Sequence, residues 1–104
     1  MTADNRRILG LLGLAARAGQ LKSGSDVCQQ AIRRGTAAFA LLDEAASQNT
    51  RDLFTSLCGT RNIPLYFLTQ DDLGNAIGRP GRMIAVLQEG PLAARLQALL
   101  SGGS

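Results

Sequence analysis

The sequence contains no histidine and no tryptophan. Without histidine there is no imidazole base for Ser-His-Asp or Cys-His catalysis, and two cysteines alone do not make a zinc site. Those cysteines, Cys28 and Cys58, fall at apolar helical positions and read as buried small hydrophobes; without signs of secretion, no structural disulfide is expected. Aromatic residues are few, only Phe39, Phe54, Tyr66 and Phe67. All four sit in apolar patterns and read as core. That placement argues against a single-strand stacking platform like those of RRM or OB-type domains. No apolar run is long enough to span a membrane. Arg6 and Arg7 precede an apolar stretch, but Gly10, Gly13 and Arg17 interrupt it. It reads as an amphipathic helix and not a signal peptide, so a cytoplasmic protein is expected.

Lysine is nearly absent as well. Lys22 is the only lysine among 11 basic residues, and the others are arginines. Arginine forks onto phosphate and guanine edges and stacks on bases. A net charge of +3 does not by itself identify a partner. The 104 residues are enough for one hydrophobic core and one domain, 1–104, with a core of about 4–100 and a disordered tail at 101–104.

The chain is organised around Lys22-Ser23-Gly24-Ser25-Asp26 and the helix that follows. Ser25 or Asp26 is expected to cap that helix, since a short side-chain oxygen accepts from a free first-turn N–H. Val27, Cys28, Ala31 and Ile32 recur at spacings of three and four and form an apolar face, with Gln29, Gln30, Arg33 and Arg34 off it. Gly35 stops the helix, with two arginines in the last turn where the helix dipole favours cations. A free helix N-terminus beside a glycine suits an anionic or nucleobase ligand.

Before it, residues 4–18 read as a first helix capped by Asp4. Its glycines, Gly10 and Gly13, are expected to let it pack closely on a sheet. After it come three apolar runs of strand length: Thr36–Asp43, Ile63–Leu68 and Met83–Leu87. Helices are expected at about 48–59, burying Leu53, Phe54, Leu57 and Cys58 and closed by Gly59, and at about 91–100, opened by Pro91. Between them a short helix carries Leu73, Ala76 and Ile77, capped within Thr69–Asp72. Strands alternating with helices indicate an α/β layered sandwich around a partly parallel sheet, with ligands at one rim. The basic loop Gly78-Arg79-Pro80-Gly81-Arg82 holds two arginines on a restricted backbone. Asp43-Glu44 and Asp71-Asp72 follow strands and read first as helix-capping acids. Neither comes with a phosphate-cradling glycine loop, and no catalytic constellation, metal site or cofactor site is expected.

Several pieces, in order, carry a resemblance. They are Leu11-Leu12-Gly13-Leu14-Ala15-Ala16-Arg17-Ala18-Gly19, Lys22-Ser23-Gly24, Ala31-Ile32-Arg33-Arg34-Gly35, Asp43 through Thr50, and Leu73-Gly74-Asn75-Ala76-Ile77-Gly78-Arg79. Over roughly residues 6–100 the chain resembles the L-seven-Ae/L-thirty-e superfamily of ribosomal proteins, in its small bacterial YlxQ-type branch. The resemblance implies a three-layer α/β/α sandwich with a four-stranded mixed sheet. It also implies binding of structured RNA, typically the kink-turn with its tandem sheared G·A pairs.

By that resemblance, contacts come from the helix start at Gly24 to Gln30, the loop after the second long strand and the loop before the last strand. Family members usually carry Gly-x-Asn-Glu-x-x-Lys at the helix start, where this chain has Gly24, Asp26, Val27 and Gln30. The expected RNA-contacting residues are Lys22, Gly24, Ser25, Asp26, Gln29, Gln30 and Arg33 at the helix, with Arg79 and Arg82 at the basic loop.

The leading expectation is a non-enzymatic, monomeric RNA-binding protein, ribosomal or ribosome-associated, that binds ribosomal or other kink-turn-containing RNA and no membrane. A second reading keeps the fold as a protein-interaction module with RNA affinity weakened or lost, for which an exposed Val27 would speak. A third is an enzyme using Asp43 or Glu44 with a metal.

Overall fold

In a computed structural model of the chain, residues 3–102 are described, with side chains from Asn5 onward. The elements run α1 (Ala3–Arg17), β1 (Leu21–Ser23), α2 (Ser25–Arg34), β2 (Ala37–Asp43) and α3 (Gln48–Arg61). They continue with β3 (Leu65–Leu68), α4 (Asp72–Ile77), β4 (Ile84–Gln88) and α5 (Pro91–Leu100). The four strands form one mixed sheet in the order β1-β4-β2-β3. β4 runs antiparallel to both β1 and β2, and β3 lies parallel to β2.

The sheet divides the core because successive strand residues point to opposite faces. Phe39 and Leu41 of β2 pack with Ile8, Leu12 and Ala15 of α1, Leu73 of α4 and Leu96 of α5. Ala40 and Leu42 pack on the other face with Cys28 and Ile32 of α2 and Phe54 and Cys58 of α3. The result is the expected three-layer α/β/α sandwich. β2 and β4 occupy its centre, which is why their sequences read as unbroken apolar runs.

Local readings differ from the structure in several places. Helix α1 begins at Ala3, so Asp4 lies in its first turn and not at its cap. A Cβ on Gly13 would lie 2.9 Å from the Ala76 carbonyl, so that glycine admits a close approach of α4 and not of the sheet. Helix α3 runs through Gly59 and ends at Asn62, which takes the left-handed conformation (φ 58°). Leu53 is on its exposed side, while Phe54 and Cys58 are buried. Of the tail expected at 101–104, residues 103 and 104 lie outside the described residues.

Candidate nucleic-acid interface

The first turn of α2 is set by Gly24 and not by a polar cap. Gly24 is the N-cap residue, at φ 102° and ψ 146°, and no side chain caps the helix. Neither Ser25 nor Asp26 serves as the cap, because both already lie inside the helix. The Ser25 hydroxyl instead accepts from Gln29 Nε2 at 3.0 Å. The Gly24 backbone N–H donates to the Ile84 carbonyl at 3.1 Å, extending the β1–β4 ladder by one residue. Its carbonyl accepts the first helical bond, from the Cys28 N–H at 3.0 Å. The backbone N–H groups of Ser25, Asp26 and Val27 precede that bond and carry the positive end of the helix dipole.

Cys28 fastens the turn from below. Its thiol points to the carbonyls of Lys22 (3.5 Å) and Ile84 (3.7 Å). Burial pushes its pKa up to about 12, only partly offset by the nearby Val86 backbone and the charge of Arg82. Such a thiol stays neutral and unreactive at ordinary pH.

The basic loop meets this turn. Arg82 Nη1 donates to the Ser23 carbonyl at 3.0 Å, and the same nitrogen would lie 2.5 Å from a Cβ on Gly24. A side chain on residue 24 would displace the fork from this position. Lys22, Ser23, Val27, Arg79 and Arg82, together with Ala16, Leu21 and Ile77, line an open cleft of about 350 Å³. Three cations and Val27 of the first turn of α2 thus line one concavity, while Gly24, Ser25 and Asp26 are outside its lining. The fields of the cations add, and an anion is the ligand that relieves them. The apolar wall is of a kind that the face of a base or sugar can cover.

Not all expected residues join this cleft. Gln29 and Gln30 lie on α2 beyond Val27, Gln29 half-buried and held by Ser25, Gln30 exposed. Arg33 lies in the last turn of α2, roughly 12 Å along the helix from Ser25. There its carbonyl accepts from Arg61 Nη1 of α3 at 3.0 Å. Val27, expected on the buried face, is 47% exposed. It lies in the first turn, on the wall of the open cleft.

The acidic pairs separate into two roles. Asp43 is fully buried. Its carboxylate accepts from the backbone N–H groups of Ala45 (2.8 Å), Asp71 (3.1 Å) and Leu73 (3.4 Å). Asp71 is the N-cap residue of α4 but makes no side-chain cap bond, so β2 supplies the capping carboxylate. Glu44 is exposed at the next position. Among the described residues, no three acids or cysteines gather to hold a metal ion, and no helix is long and apolar enough to cross a membrane.

Two features of the rim differ from the sequence reading. One is Asp43, a capping acid as expected, but one that caps the distant helix α4. The other is Phe67, expected in the core but 50% exposed on the edge strand β3.

Comparison with known proteins matches residues 6–95 to the model of the ribosomal protein L7Ae/L30e/S12e/Gadd45 family. The chain is 35% identical over 91 residues to the RNA-binding protein YlxQ of Bacillus subtilis, covering 86% of this chain and 91% of that one. Among solved structures, it is similar to a Bacillus halodurans protein of unknown function, with TM-score 0.85 and 31% identity over 91% of this chain and 97% of the other. It also shares its fold with a Giardia lamblia 15.5kD RNA binding protein, with TM-score 0.79 and 16% identity over 98% and 89% of the two chains.

Proposed function

The chain belongs to the ribosomal protein L7Ae/L30e/S12e/Gadd45 family, and we propose that it is a non-enzymatic RNA-binding protein of the cytoplasm that recognises folded, kink-turn-like RNA, ribosomal or ribosome-associated. The observation that carries this reading is the seating of Arg82 against Gly24, which gathers Lys22, Arg79 and Arg82 around one cleft walled by Val27 of α2. A kinked RNA draws phosphates together at an electrostatic cost, and such a rim offsets that cost. Asp26, exposed in the first turn, accepts from base N–H groups such as those on a guanine edge. The name of the Bacillus subtilis relative agrees with an RNA partner.

A fluorescence titration at two salt concentrations tests the reading. Its probes are a kink-turn RNA, the same RNA with its sheared G·A pairs replaced by Watson–Crick pairs, and a plain duplex. Tight binding to the first alone is expected. Equal, strongly salt-dependent binding to all three would reduce the protein to a generic arginine surface.

The exposure of Val27 favours a second reading, a protein-interaction module on the same fold. Absence of binding to all three RNAs would move the weight there.

A further inference from the structure

β3 is an edge strand, paired on one side only, with β2. Leu68 at its end is buried, yet its neighbour Phe67 leaves half its surface open. From helix α3, Arg51 places its guanidinium carbon 5.8 Å from the ring centroid. That guanidinium is itself anchored: Nη2 donates to the Glu44 carbonyl and Nε to the Ala46 carbonyl at 3.3 Å. Phe67, Arg51, Glu44 and Gln70 line a second open cleft of about 490 Å³.

This cleft lies on the same rim as the first. The Glu44 N–H donates to the Leu68 carbonyl at 2.9 Å, and the Asp43 N–H donates to the Met83 carbonyl at 2.8 Å. The ends of β3, β2 and β4 are thereby laced side by side, with Arg82 just before β4. β3 and β1 are three strand spacings apart, roughly 15 Å. The first cleft opens beside α1 and α4 and the second beside α3, at the two ends of that rim.

We propose that Phe67 and Arg51 form a second base-binding site, in which an unpaired nucleobase of the same RNA stacks on the ring while Glu44 and Gln70 meet its edge. The inference rests on the RNA-binding reading above and adds a single-stranded contact to it. The chemistry selects a base over an apolar protein segment. The cleft has one apolar side chain among three polar ones, too little for a hydrophobic anchor. A nucleobase needs this mixture: a flat face for an aromatic ring and a fixed guanidinium, and donors and acceptors in its plane. Gln70 offers both kinds of partner, and Glu44 accepts from ring or exocyclic N–H groups.

The test compares wild-type protein with the Phe67→Leu and Phe67→Tyr variants. The probe is a kink-turn RNA bearing a short single-stranded extension of randomised sequence at each end. Phe67→Leu should weaken binding about 5- to 100-fold, the value of one aromatic–base stack. Phe67→Tyr should hold within a few-fold, and both variants should keep the thermal midpoint and the salt slope of the wild type. Equal affinity of the wild-type and Phe67→Leu chains would overturn the site while leaving RNA binding at Arg79 and Arg82 intact. That result is also expected if an apolar protein segment docks here, since leucine serves it as well. Failure of the wild type to bind any RNA would overturn both proposals.

Discussion

Arg82 and Gly24 occupy one space. The Arg82 Nη1 atom, donating to the Ser23 carbonyl, sits 2.5 Å from the point where a Cβ of residue 24 would be. Gly24 also holds φ 102° with an extended ψ, a region that L side chains rarely enter. The Gly24→Ala variant is therefore expected to lose roughly 1–3 kcal/mol of stability from backbone strain alone. It should also lose RNA affinity by more than tenfold as the fork is displaced. Urea denaturation and the kink-turn titration read the two effects, and a variant with wild-type affinity would detach this turn from the site.

Arg79 and Arg82 should respond differently to alanine. Arg79 is exposed on the loop, so Arg79→Ala should leave stability within about 0.5 kcal/mol while lowering affinity. If it contacts one phosphate, the slope of log affinity against log salt should shrink by about 0.7–0.9. Arg82 is half-buried and bonded to the Ser23 backbone, so Arg82→Ala should lower both affinity and the thermal midpoint, the latter by about 4–8 °C per kcal/mol lost. Unchanged affinity in both variants would remove the basic loop from RNA contact.

Asp43 is predicted to act through stability alone. Its carboxylate serves three backbone N–H groups, one from the loop after β2 and two from the start of α4. Asp43→Asn keeps the shape but turns an N–H donor toward those donors, and about 2–4 kcal/mol of loss is expected from the unpaired groups. Magnesium should leave the thermal midpoint of the wild-type chain unchanged. A midpoint that rises with magnesium and is flat in the variant would revive a metal role for this residue.

Cys28 should show itself at high pH. Burial raises its folded-state pKa from 9.0 to about 12. Above the unfolded value the unfolded chain holds fewer protons than the folded one, so stability falls as pH rises. The contribution is complete below about pH 9 and is lost between 9 and 12. Cys58 is shifted in the same direction by burial. Cys28→Ala should flatten the alkaline limb of a stability–pH curve, and at pH 8 the native protein should alkylate only at the rate at which it opens.

The element order was legible because central strands must be apolar on both faces. Residues 37–43 and 84–88 announce themselves in this way, and so does α5, which starts at Pro91. The site was less legible, for reasons that single residues make plain. A serine and an aspartate stand where a cap is expected. The cap is glycine, at φ 102° and with the Arg82 guanidinium from the loop before β4 lying against it. Val27 fits an apolar helical spacing, but periodicity does not report which turn of a helix borders an open cleft. Phe67 reads as core because strand order is invisible in sequence, and only an edge position leaves its ring uncovered. Asp43 reads as a local cap, while its partners at 71 and 73 come from another element.

The position of β4 governs when the protein acquires its binding surface. The next-to-last element in the chain is inserted between β1 and β2, and the bonds that shape the Gly24 turn reach across 56 and 59 residues. During synthesis, the amino-terminal portion emerges with α2 already encoded but with no strand for Gly24 to pair with and no guanidinium beside Ser23. The cleft that we propose holds RNA therefore takes shape only after Arg82 and Ile84 have been made. A translation product that stops before Ile84 lacks the strand against which the Gly24 turn is built.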